Sequence, residues 1–504
     1  MTFEEFKLKP WRNPHEAYKQ SAFAMSPAPE YASSEVLLAS LYRTIGFDGV
    51  AEGRVPVIGR ELERSIQAGK KPEGALLSAD AWNKVVHWVL ESPKLPNQSS
   101  KRFLQMSPVV PEVARYSGSA RLAGNPWRPG QLVQWMVWLG SASNEQAHSL
   151  WSSLFAALEV GDDDDVWARW LEQEFASWKP KDGATFALRS DEHPPVDGFT
   201  PEERARLRYP ARQFVKDLEA VILAKSSMTR RQWTSMLESI IRLAATSHVM
   251  WICELHDSLW RSLHGILADG RDAPTEDEVR ECVFPGSIEY FAYGQAALRS
   301  VRSRAESYLQ ARLGINLVLW SLKELGASEL DPLSSPAAFS KLAAVVQEKK
   351  AALLRNGFAK CLEDLQDREA GTLACTKGIG SNIHEFARHA LGQRQTLTNV
   401  LKGYDQGYVL RKKGDYNGAP WVVSLGPVLV IALVHCCLHE SGGPRSVHRL
   451  CQHLGEYGIS VNKRDIGASE LGSSLRMLGL VLDSPDAESG MLLLPPFARL
   501  AQAK

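Results

Sequence analysis

Three things are missing from this sequence of 504 residues: a surplus of either charge, a long uninterrupted apolar run, and a recognisable nucleotide or nucleophile motif. The 58 Lys and Arg residues are matched by 58 Asp and Glu residues. That balance excludes a histone-like coat protein, which is strongly basic, and an acidic disordered tail. The longest apolar stretch, 421–438, is interrupted by Ser424, Gly426, Pro427 and His435. Pro427 is expected to start a helix there, leaving about a dozen apolar positions where a bilayer needs roughly 20. Glu4 and Glu5 come early with no apolar stretch behind them, so no signal peptide is read. A cytoplasmic protein with no membrane partner is expected.

Cysteine pairing is absent too. Cys253, Cys282, Cys361, Cys375, Cys436, Cys437 and Cys451 include no C-x-x-C pair, and several lie in apolar helical runs. Reduced thiols fit this usage better than a disulfide framework.

Catalytic motifs fail on inspection. No G-x-x-x-x-G-K-[ST], G-x-S-x-G or G-x-G-x-x-G occurs. Thr376-Lys377-Gly378-Ile379-Gly380-Ser381 holds P-loop residues in the wrong order. Pro485-Asp486-Ala487-Glu488 begins like a nuclease signature, but Gly490 stands where a lysine is required. His384 and His389 flank Glu385, yet a spacing of five puts them about 140° apart on a regular helix, so they cannot share a metal. His248 sits on an apolar stripe, and no partner motif gives it, Glu254, His256 or His264 a catalytic role. His435 and His439 share a helical face, and His448 and Cys451 are three apart on the next helix; zinc is left open at these four. The run Asp162–Asp165 complements a helix N-terminus without any metal. No enzymatic activity and no cofactor are expected.

Tryptophan is plentiful. The fifteen present are about twice the usual share, and ten fall between Trp11 and Trp178, at spacings that suit core anchors. Residues 1–30, with four prolines, read as an extended arm, and 31–180 as a Trp-rich lobe of short helices. Residues 181–200, rich in Pro and Gly, read as a linker. A middle domain, 201–370, should hold three long helices. The first is capped by Thr229 and carries a 3.6-residue apolar stripe from Trp233 to Ile266. The others are expected over 287–325 and from Pro336 to about Glu369. A connector, 371–425, should hold a helix from Asn382 to about Leu401 and then a basic loop.

From 426 to 504 the order is three helices and a hairpin. Helices are expected over 428–440, 446–457 and 465–477, with strands 480–482 and 491–494. Ile459-Ser460-Val461 is expected to supply a further small strand. This order resembles the winged-helix superfamily over about 70 residues. The fold class is therefore mainly α: a multi-domain helical protein with long central helices and a C-terminal winged helix bearing a short β-hairpin.

The resemblance implies a third helix in the DNA major groove, with Lys463, Arg464, Ser473 and Arg476 on its reading surface and Arg445 and Arg449 near phosphate. Against that, residues 441–497 hold five Arg and Lys but six Asp and Glu, which suits protein contact as well. Upstream, Arg388, Arg394, Lys402, Arg411, Lys412 and Lys413 face only Asp405, with Tyr404 and Tyr408 interleaved. The expected function is a non-enzymatic, DNA-engaging or scaffolding subunit of a bacterial-type nucleic-acid-processing assembly, antiphage defence being the preferred setting. Its partners would be double-stranded DNA and protein subunits supplying ATPase or nuclease activity. The alternatives are an adaptor whose winged helix docks proteins, and a metal-dependent hydrolase without a visible motif.

Overall fold

The computed structural model describes residues 2–25, 34–47, 50, 54–85, 90, 106–117, 128–178, 185–189, 209–327, 330–392, 407–414, 418–439, 445–464, 466–483 and 490–497. The molecule is mainly helical. Among the described residues no helix is long and apolar enough to cross a membrane.

The helices around which the rest is built are Ser34–Gly46 (α1), Pro129–Gly140 (α2), Pro210–Leu223 (α3), Arg230–His264 (α4), Leu298–Glu324 (α5), Pro336–Arg355 (α6), Gly378–Leu391 (α7), Pro427–His439 (α8), His448–Glu456 (α9) and Glu470–Met477 (α10). Helix α4 is the axis. Its start is fixed by a capping box: Thr229 accepts from the Gln232 amide while the Gln232 side chain returns to Thr229. Every residue from Ser239 to Cys253 is buried, so this stretch is enclosed on all sides and not merely on one face. Helix α5 packs along α4, and Gly314 makes the approach possible, because a Cβ there would collide with the Trp260 ring.

Two long helices are shorter than their apolar periodicity suggests, one beginning later and the other ending earlier. Residues 287–297 are not helical; they hold the two-residue strand β1, Phe291–Ala292, and a left-handed turn at Gly294. Helix α6 stops at Arg355, and Gly357, with φ of 78°, turns the chain into a separate helix, Phe358–Arg368. Helix α7 likewise begins at Gly378, placing Asn382 inside the helix instead of at its cap.

The N-terminal stretch is not wholly extended. It holds helices Phe3–Leu8 and Glu16–Lys19, and Phe6, Tyr18 and Phe23 enter the core. Arg312 of α5 is fully enclosed and donates to the carbonyls of Met25 and Trp11, which ties this stretch down.

One apolar core runs from Phe6 to Leu493 and joins α1–α8 to the C-terminal residues. A smaller one, built on Trp82, Val113, Leu171, Phe175 and Trp178, lies beside it. Between them Arg230 bonds Asp164 at 3.0 Å and donates to the carbonyls of Leu158, Glu159 and Val109. The acidic run is thereby accounted for: Asp165 caps the helix Val166–Ala176, and Asp164 pairs with Arg230 and with Lys225. Burial on its own would raise the Asp164 carboxyl, but Arg230, the Gly161 amide and Lys225 together hold it below the usual carboxylate range.

Candidate nucleic-acid interface

The C-terminal segment folds as α8, strand β4 (Arg445–Ser446), α9, a short strand β5 (Ile459–Ser460), a 3-10 turn (Ile466–Ala468), α10, and strands β6 (Val481–Asp483) and β7 (Met491–Leu493). The third helix is shorter than its apolar pattern suggests, beginning at Glu470 with Ser469 as its cap. Strands β4, β7 and β6 form one antiparallel sheet in that order. The small strand at 459–460 is not part of it. It pairs in parallel with β1, 168 residues earlier at Phe291↔Ile459, and so stitches this segment to the loop before α5.

This segment does not hang free. Helix α8 is apolar on nearly every side and packs on both α3 and α4. Asp217 of α3, almost fully enclosed, accepts from His453 at 2.9 Å and from Tyr457 at 2.7 Å, both near the end of α9. Burial and the Asp217 charge push the Tyr457 hydroxyl well above its usual range, so it stays a donor. Nothing in the sequence around Asp217 marks it for this role, because its partners lie more than two hundred residues away.

The basic stretch before α8 is a hairpin, not a loop. Strand β2 (Leu410–Lys412) pairs with β3 (Trp421–Val423), and Lys413 continues the pairing through Pro420. Single bridges attach the hairpin to the end of α7 and to the loop before α5. At its other side Arg411 pairs with Glu470 at 2.8 Å, and Ser424 donates to the same carboxylate at 3.2 Å. The basic hairpin is therefore fastened to the N-terminal end of α10.

The expected contact residues fall into two groups. Several are engaged within the chain. Arg411 is paired as described, and Arg388 lies over the Trp421 ring, 5.4 Å from its centroid. Arg449 donates to the Cys437 carbonyl at 2.8 Å, and Arg476 bonds Asp483 at 3.1 Å and the Gly467 carbonyl at 2.6 Å. By contrast, Lys412, Lys413, Lys463 and Arg464 reach the surface without an ion-pair partner among the described residues. Arg445 and Ser473 are exposed. Arg394 and Lys402 lie outside the described residues.

The rings of His435 and His439 lie 5.9 Å apart, centroid to centroid. His435 bonds the Ala220 carbonyl at 3.1 Å, and its ring meets Phe497 edge to face. Burial pushes the Cys451 thiol up to about 11 and that of Cys437 up to about 12. Among the described residues no group of three or more His, Cys, Asp or Glu side chains could hold a metal ion.

No protein-family model matches the chain, and no curated protein matches it either.

Proposed function

We propose that the segment from Pro427 to Phe497 is a winged helix and that the chain is a DNA-engaging scaffold subunit, whose partners supply ATPase or nuclease activity. The connectivity supports this: helix, strand, helix, helix and hairpin, with the first strand pairing to the last. The observation that carries the reading is the Arg411–Glu470 pair. It fastens the basic hairpin beside the end of the helix that a winged helix inserts into the major groove. Lys412 and Lys413 on the hairpin, and Lys463 and Arg464 just ahead of α10, then supply phosphate contacts on either side.

Electrophoretic mobility with duplex DNA over a salt series tests this. Binding should weaken steeply as salt rises, and each of these four cations replaced by alanine should flatten the log–log salt slope by about one. Absence of binding at low ionic strength would sink the proposal.

A second reading, docking of a protein, rests on a different observation. The outer face of α10 and the adjacent strand expose Met477 at 81% and Leu482 at 55%, and Asp483 neutralises the helix's one arginine. Under that reading Met477→Glu removes partner association and leaves duplex binding untouched.

A further inference from the structure

The helical body holds a groove that the proposed function does not use, where the end of α4 meets α5 and the helix Phe358–Arg368. Trp260 and His264 line it from the last turns of α4, Asp269 and Arg271 from just beyond them, Gln310 from α5 and Gln366 from Phe358–Arg368. Its volume is about 390 Å³, within the range that small-molecule sites occupy, and it opens to solvent.

Helix α4 does not finish in an ordinary last turn. Gly265–Asp269 form a single π-helical turn, closed by the Gly270 amide on the Gly265 carbonyl, and Gly270 is left-handed with φ of 71°. Such wide turns are rare and recur at functional sites. Here the turn folds the chain back on itself. The Arg271 amide also donates to the Gly265 carbonyl, at 3.1 Å, and the Arg271 side chain crosses Gly265, where a Cβ would lie 2.9 Å from its Cδ. Its guanidinium ends beside Asp269 at 3.3 Å, while Arg261, on the same wall, holds Asp257 at 2.7 Å.

Each of the two arginines thus has its own carboxylate, which leaves little excess charge to draw an anion. The polar groups left over are neutral. Neither the Gln310 nor the Gln366 carboxamide, nor the Trp260 indole N–H, makes a hydrogen bond among the described residues. Each carboxamide carries a donor and an acceptor side by side. Planar groups stand beside them: the exposed His264 ring lies 5.5 Å from that of Trp260, and the Arg271 guanidinium is exposed as well. Imidazole and guanidinium planes are surfaces on which bases stack.

We infer that this groove binds an adenine nucleoside, with Gln310 and Gln366 reading the base. Adenine is neutral and planar, and it has two edges on which an amino donor adjoins a ring-nitrogen acceptor, one for each carboxamide. Guanine is the base that arginine reads at O6 and N7, and both arginines here are already paired. A saccharide would satisfy the carboxamides but offers no planar face to the imidazole and the guanidinium.

Titration calorimetry of the full chain with adenosine, guanosine and maltose tests this, with Gln310→Ala, Gln366→Ala and, as a control, Gln295→Ala, an exposed carboxamide outside the groove. Adenosine should bind saturably, one per chain, and guanosine roughly tenfold more weakly or worse. Each groove variant should weaken adenosine binding roughly tenfold, the loss of one two-point contact, and the control should not. Gln310 is exposed and Gln366 half-buried, so alanine at either helical position should leave the fold intact, which circular dichroism checks. No saturable binding of adenosine overturns the proposal. So does guanosine or maltose binding as tightly, equal weakening by the control, or insensitivity to both groove variants.

Discussion

The helical body and the C-terminal segment use the same arginine–carboxylate chemistry at opposite ends of the burial scale. In the body, Arg230 and Asp164 have side chains 0% and 2% exposed, at 3.0 Å. In the C-terminal segment, Arg476 and Asp483 are 41% and 61% exposed, at 3.1 Å. The distances are nearly equal, yet the consequences differ. Water has left the first pair, so losing Asp164 strands the Arg230 charge, and losing Arg230 leaves the enclosed Asp164 with Lys225 as its one remaining cation among the described residues. Around the second pair water competes throughout, and the bond can open for a ligand at little cost. The Arg230–Asp164 pair thus joins the two cores of the body, whereas Arg476 and Asp483 stay exchangeable.

The sharpest way to break that contrast is to remove Arg230. Arg230→Met should destabilise the fold by about 3–5 kcal/mol, read by urea denaturation, because Asp164 and three carbonyls lose their donor. A loss below about 1 kcal/mol would place this pair with the surface ones. Its pH behaviour follows from the depressed Asp164 carboxyl. The contribution is present above the unfolded carboxyl value of about 3.9 and is lost as pH falls through the lower folded value. In Arg230→Met that acid limb should be shallower.

A middle case is the Asp217 joint, which is buried but sits between the two regions. Asp217→Ala leaves the His453 and Tyr457 donors without an acceptor and should cost about 2–3 kcal/mol. Hydrogen exchange should show α9 loosening first, with α4 still protected. Uniform loss of protection over both helices would show that the C-terminal segment and the body unfold as one unit. The smallest effect belongs to Arg476→Ala, which should change stability by no more than about 1 kcal/mol. If it instead abolishes folding, the contact between α10 and β6 is structural and the exchangeable-charge picture fails.

These differences also mark what could be read along the chain. Helix α4 was legible from Thr229 and its stripe, because a cap and a 3.6-residue period are local properties. The division at Gly357 was harder to see: a lone glycine is tolerated in a helix, and only its positive φ makes it a break. The strand at 459–460 was visible as a strand but not in its partner. Two residues carry no register of their own, and the partner is β1 in the middle of the chain. Among the cations, Arg411 and Lys412 look alike in sequence, yet one is paired to Glu470, 59 residues on, and the other is not.

The sequence by itself determined that the protein is mainly helical, where its longest helix starts, and how the last three helices and the hairpin follow one another. Each of these rests on periodicity and on residues within a few positions of one another. Tertiary structure alone decided which charges are joints and which remain at the surface, because that depends on acids and carbonyls supplied by distant segments. Arg230 and Arg231 are neighbours in the chain; one is enclosed and the other exposed, and a helix turning 100° per residue is the reason.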